Sequence, residues 1–142
     1  MKKSILFGVL ALSIGFSACA QKLNESKVPA AVKASFTKMY PGVSAKWEKE
    51  DGKYEANFKQ AGGTLSAMFE PNGTFTESEM DIAVTDLPAK VLSYVKDNYK
   101  GKSIKEGAKI TKADGTVNYE AEVDGKDVIF DASGKFLKVV KD

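Results

Sequence analysis

The residues of this chain that could do chemistry are carboxylates and lysines. Its 142 residues include no histidine, and all 21 basic residues are lysine. The side chain most often recruited for proton transfer near neutral pH is therefore missing. No serine or threonine lies in the G-x-S-x-G setting that presents a nucleophile. Cys19 is the sole cysteine, which excludes an intramolecular disulfide and, with histidine absent, a zinc site. Two carboxylate pairs, Glu48/Glu50 and Glu120/Glu122, have the residue types for glycosidase-like acid–base work. Two apart on a strand, however, they share one face, and a solvated sheet face accounts for them. Asp124-Gly125-Lys126-Asp127 with Asp131 superficially suggests calcium, but the spacing of a calcium loop is missing and a hairpin turn explains Asp124-Gly125. The glycines fall in turn pairs rather than in a phosphate-cradling loop. No catalytic residue, metal or cofactor is expected.

The elements that must position these carboxylates repeat along the chain. Val28, Val32, Phe36 and Met39 fall on one face at helical spacing, and Leu87, Val91, Val95 and Tyr99 do the same 59 residues later. Ser26 and Thr85 are placed as caps, Pro29 and Pro88 fall in the first turn, and Gly42 and Gly101 end the helices. After each helix the apolar period becomes two. Trp47, then Tyr54, Ala56 and Phe58, then Leu65, Ala67 and Phe69 alternate with polar residues. The second half offers Ile110, then Tyr119, Ala121 and Val123, then Val128 and Phe130. The turn dipeptides Asp51-Gly52, Gly62-Gly63, Asn72-Gly73, Asp114-Gly115, Asp124-Gly125 and Ser133-Gly134 separate the strands. The expected fold is α+β, a tandem repeat of one helix plus a four-stranded antiparallel meander, with the helices on one face of the sheet. The fourth strand of each half, within 74–80 and 135–140, alternates poorly.

The first 20 residues read as a secretory signal peptide: Lys2 and Lys3, an apolar run from Ile5 to Phe16 too short to span a membrane, then small residues. Residues 21–27 read as a short linker, and 28–142 as one domain of two repeats, 28–83 and 84–142. Two processing routes stay open. Phe16-Ser17-Ala18-Cys19 resembles a lipobox that would lipidate Cys19, whereas Ala18-Cys19-Ala20 suits ordinary cleavage before Gln21. Removing the leader takes two lysines and no acid from a chain of 21 basic and 19 acidic residues, leaving a formally neutral protein. Neutrality, scattered lysines and the lack of arginine argue against nucleic acid.

Four recurring features carry a family resemblance: the Leu/Val-Pro-Ala-x-Val helix start at 28–32 and 87–91, and the Tyr-x-Gly helix end at 40–42 and 99–101. To these are added Tyr-Glu-Ala at 54–56 and 119–121, and the later Asn-Gly or Ser-Gly turn. Together they resemble the PepSY-like, β-lactamase-inhibitor-like proteins exported by Bacteroidota. The resemblance covers nearly all of the mature chain. It implies a curved antiparallel sheet with helices packed behind it, an association with binding or inhibiting secreted enzymes, and no catalytic residues to carry over.

The function expected on these grounds is an exported, non-enzymatic binding module of the cell envelope, periplasmic and either soluble or held to the membrane through Cys19. A structural or accessory envelope lipoprotein without its own ligand is the alternative. If Trp47, Tyr54, Phe58, Phe69, Tyr119 and Phe130 face the helices, the outward set is rich in acids: Glu48, Glu50, Glu55, Glu120, Glu122 and Asp127. Lys46, Lys59, Lys109, Thr111 and Met68 also fall in that set. This face is the candidate binding surface for a protein or peptide with a basic surface. Intact-mass measurement of the exported protein tests the processing: loss of 1–18 or 1–20 is expected, a lipid mass on Cys19 selects the lipobox, and an unprocessed chain overturns export.

Overall fold

Residues 20–141 are described by a computed structural model. Cys19 and the leader lie outside the described residues. Strand β1 (Gln21–Leu23) and a 3-10 turn (Glu25–Lys27) precede helix α1 (Ala30–Met39), which is followed by β2 (Lys46–Glu50), β3 (Lys53–Gln60), β4 (Gly63–Phe69) and β5 (Phe75–Ile82). A second 3-10 turn (Val84–Asp86) leads into α2 (Ala89–Asn98), then β6 (Ile104–Lys112), β7 (Val117–Val123), β8 (Lys126–Asp131) and β9 (Phe136–Lys141). Each strand pairs antiparallel with the next, giving one nine-stranded sheet in sequence order. Gln21–Leu23, expected to belong to a linker, instead pairs with β2 through Leu23 opposite Trp47.

Local chemistry explains the connections. Asp51 and Gly52 have φ of 47° and 80°, and Asp124 and Gly125 have 55° and 70°, the paired left-handed residues that match a two-residue hairpin to strand twist. The turn between β3 and β4 uses Ala61-Gly62 rather than Gly62-Gly63, and Gly63 opens β4. The helix caps also differ from expectation. Pro29 and Pro88 are the N-cap residues, without a side-chain cap, because the 3-10 turns intervene; Ser26 instead donates its amide to the Asn24 side chain. Thr85 lies within the second 3-10 turn.

The two helices lie on the same face of the sheet. Phe58, Leu65, Met80, Lys109, Tyr119 and Phe130 are cross-strand partners in succession from β3 to β8, so they form one row on that face. At one end α1 places Val32 and Phe36 over Trp47, Ala56, Phe58 and Phe69. The Phe36 ring meets Trp47 and Phe58 edge-on, with centroids 5.4 and 5.2 Å apart. At the other end α2 places Val91 and Val95 over Ala121, Val123, Val128 and Phe130, with Tyr94 stacked on Phe136 at 5.0 Å. These are two separate cores. Met80 and Lys109, at the centre of the row, belong to neither, and Met80 is exposed.

Irregularities in pairing decide which side chains reach which face. Between Met68 and Phe69 the register with β5 shifts, so that Phe69 pairs with Phe75 while Met68 pairs with Glu77. A matching shift sits between Ile129 and Phe130 against β9. In β6 the register shifts between Ile104 and Glu106. Ile104 packs beneath α2, but the extra residue inverts the alternation after it. Ile110, expected under the helices, therefore lies on the opposite face, paired with Glu79 and Asn118. Lys109 and Thr111, expected outward, share the helix face with their partners Tyr119 and Val117.

Two turns anchor the sheet to the helices. A Cβ at Gly73 would lie 2.6 Å from the carbonyl oxygen of Ala31, and one at Gly134 2.8 Å from the Lys90 Cβ. Gly115 has nearly the same φ as Gly73, 85° against 87°, but open space around it. Gly115→Ala is expected to lose about 1–2 kcal/mol from the left-handed conformation alone. Gly73→Ala, which also meets helix backbone, should lose measurably more by urea denaturation. Equal losses would show that the turn does not bear on α1. Phe69→Ala should cost about 3–5 kcal/mol as a fully buried large-to-small change.

Candidate binding face

On the face opposite the helices, the cross-strand rows are polar. Lys22, Glu48, Glu55, Met68, Glu77 and Lys112 follow one another from β1 to β6. A second row reads Lys46, Asn57, Ser66, Glu79, Ile110, Asn118 and Asp131. Asp81, Ala108, Glu120 and Ile129 form a third, and Glu106, Glu122 and Asp127 a fourth. Directly opposed positions lie about 5 Å apart at Cβ, so Glu48 faces Glu55 as a like-charged pair.

All six candidate carboxylates lie on this face, as their alternation required. Their environment is not the solvated one expected. Glu50, Glu55, Glu120 and Asp127 are buried, with relative exposures of 3–6 %. Glu48 and Glu122 are half-buried, and Glu122 accepts a hydrogen bond from Lys105 Nζ at 3.1 Å. The reason for the difference is that Met68, Ala108, Ile110 and Ile129 are buried among the acids, so the side chains of this face cover one another.

Two further carboxylates, Glu77 and Glu79, are buried here and were not singled out from sequence, and Asp81 continues their row position along β5. Their signal was an acid at every second residue, 77, 79 and 81. Hydrophobic alternation could not expose it, because counting by twos from Phe75 places these residues under the helix. The register shift beside Phe69 is what turns them away.

Burial raises their proton affinity. Glu50 is pushed from the usual 4.5 to about 7 by burial, then by Asp51 and Glu48. Glu55 also rises to about 7 through burial and the charges of Glu48 and Glu50, although hydrogen bonds with Ser66 and Asn57 pull the other way. Glu77 is raised by burial and held back by Lys112, Lys53 and Lys138. Glu79 is also raised well above its usual value: burial is the main cause, and Glu120, Asp81, Asp127 and Glu55 all add to it. Its Oε2 atom, like that of Glu50, is buried without a hydrogen-bond partner.

A recess of about 650 Å³ opens on this face across β1 to β6. Glu48, Glu55, Asn57, Ser66, Glu79 and Asp81 line it, together with the exposed Lys22, Lys46 and Lys105. Among the described residues no group of three or more acids converges in a geometry that would hold a metal ion. The acids of the superficially calcium-like stretch are engaged in turns: Asp124 pairs with Lys102 at 2.9 Å, and Asp131 accepts hydrogen bonds from the Ser133 and Lys135 amides.

The raised carboxylates make stability fall as pH rises. Below about pH 4.5 the folded and unfolded chains both hold these protons; between 4.5 and about 7 the unfolded chain releases protons that Glu50 and Glu55 keep when folded. Asp114, Asp124 and Asp131, whose values are lowered by hydrogen bonds and ion pairs, act in the opposite sense as pH drops below 3.8. Maximum stability is therefore expected near pH 4–5. Glu55→Gln should stabilise the protein by up to about 3 kcal/mol at pH 7.5 and by almost nothing at pH 4. Urea denaturation at both values decides it, and a pH-independent effect would overturn the assignment.

Comparison with known proteins bears on the fold. A family profile described, provisionally, as beta-lactamase-inhibitor-like and PepSY-like matches residues 17–77 and again 52–138. A BLIP-like protein from Bacteroides fragilis is similar in structure with a TM-score of 0.65 at 22% identity, over 78% of this chain and 84% of that one. A DUF2874 family protein from Bacteroides ovatus gives 0.67 at 24% identity, over 78% and 85%. A protein from Bacteroides eggerthii, whose periplasmic assignment is provisional, gives 0.71 at 17% identity, over 79% and 87%. At these identities the likenesses establish the fold alone. No functionally curated protein matches the chain. The profile matches span most of the described residues, and the chain belongs to the PepSY-like, beta-lactamase-inhibitor-like family.

Proposed function

We propose that this protein is an exported, non-catalytic binding module of the cell envelope, built from two copies of one α-β-β-β-β unit that share one sheet, with its acid-rich face receiving a basic protein or peptide. The observation that carries the reading is the recess on that face, lined by Glu48, Glu55, Glu79 and Asp81, with a buried, unbonded carboxylate oxygen among them. Periplasmic location is supported by the leader-like start and by the provisional assignment of the Bacteroides eggerthii relative. Attachment through Cys19 remains part of the proposal.

A catalytic reading has one observation in its favour, since Glu55 at about 7 has the proton affinity of a general acid. The surroundings do not complete such a site. Trp47, Tyr54, Phe58 and Phe69, the rings that might hold a sugar, are packed beneath α1 on the other face. The chain offers no histidine, and its only thiol is Cys19. Binding uses the acids without requiring these missing parts.

A lysine-glycine repeat peptide tests the proposal against a glutamate-glycine peptide of equal length, by titration calorimetry. The basic peptide is expected to bind, and to weaken at least about tenfold between about 50 and 300 mM salt. Glu48→Lys with Glu122→Lys, both at half-buried positions, should reduce binding further. Equal binding of the acidic peptide, or salt-independent binding, would overturn it.

A further inference from the structure

The recess is more selective than a merely acidic surface. Glu79 lies toward one side of it, on β5, directly opposite Ser66 of β4, with Asn57 and Glu55 on β3 beyond. Glu79 is only 3 % exposed, yet its Oε2 is unbonded and the residue lines the recess. A buried acceptor without a partner, on a residue that lines an open hollow, is half of an interaction. Lys105 is engaged with Glu122 at 3.1 Å, and the exposed Lys22 and Lys46 stand at strand positions bordering Glu48 and Asn57. None of these lysines satisfies Glu79 Oε2.

Deepening the proposed function and resting on it, we infer that the recess seats one primary ammonium group, the tip of a lysine side chain of the partner, between Glu79, Ser66 and Glu55. Three acceptors on three neighbouring strands suit the three hydrogens of an ammonium. A guanidinium prefers two coplanar acceptors on one carboxylate, whereas the acceptors here are spread over three strands. A metal ion is disfavoured because the surrounding acids do not converge around a common point.

Seating a cation here displaces protons. The charged groups that bear on Glu79 are Glu55 from β3, Asp81 from its own strand, Glu120 from β7 and Asp127 from β8, all of them acids. With like charges around it, Glu79 holds a proton until a cation arrives, and the ammonium then takes the proton's place. Binding and proton release are one event, so affinity rises with pH.

The test uses the whole mature protein and three probes: acetyl-Gly-Lys-Gly-amide, the same peptide with norleucine, and butylammonium. The lysine peptide is expected to bind at least about tenfold tighter than the norleucine peptide at pH 7.5, with weaker binding at pH 5.5 and proton release visible as a buffer-dependent heat. Glu79→Gln, nearly isosteric, should lose that tenfold and most of the released proton. Amide shifts at Ser66 and Glu79 in the unaltered protein provide a second readout should the variant not fold. Butylammonium moving these amides as strongly as the lysine peptide would assign the site to free amines rather than to a protein partner, and would overturn the inference in that respect. Equal affinity for norleucine, or unchanged binding by Glu79→Gln, overturns it outright. If the lysine-glycine repeat still binds in those cases, the proposed function survives and only the recess fails; if neither basic probe binds, both fall.

Discussion

One constraint governs the molecule: in a continuous sheet, every residue is assigned to one of two faces by its place in an alternation of period two, and only an extra residue in a strand can reset it. Nine strands share a single sheet, so an error of one position in any strand would send apolar groups to the wrong side. The resets beside Phe69, Phe130 and Ile104 are where the chain departs from strict counting. They bring Phe75 and Phe136 to the helices while turning Glu77, Glu79 and Ile110 toward the other side.

How much of this was legible in the residues depends on whether hydrophobicity carried the signal. The helices, the aromatic strand faces and most turns were readable, because Val32, Phe36, Trp47, Tyr54 and Phe58 have no place in water and their spacing admits one geometry. Strand β1 was not, since three residues carry too little alternation to show that Leu23 pairs opposite Trp47. Ile110 was misplaced because an apolar residue says only that it is buried, not on which side. The carboxylate face was located correctly at Glu48, Glu50, Glu55, Glu120, Glu122 and Asp127, but its burial was missed. A charged residue signals solvent unless something shows that its neighbours crowd it, and here the crowding comes from strands distant in sequence.

The two faces hold the protein together by different physics. Beneath the helices, rings and branched aliphatic groups exclude water and gain from close contact. On the other face, acids are confined among Met68, Ile110 and Ile129, and the confinement works against their charge. Such groups do not add stability near neutral pH; they persist as places where something of opposite charge would be welcome. The division of labour puts the stabilising contacts on one side and the unsatisfied ones on the other, so ligand capture need not disturb either core.

The gap between the cores has a consequence for how this chain can change over generations. Because Met80 and Lys109 separate them, a substitution beneath α1 is not felt beneath α2, and each core can drift through its own compensations. The halves are free to lose resemblance in their aromatic positions and in loop length while remaining one sheet. The acid face has no such freedom, since Glu79 answers to residues from both halves. Glu79, whose proton affinity is raised by burial and then by acids of both halves, instead ties the two halves together on the opposite face.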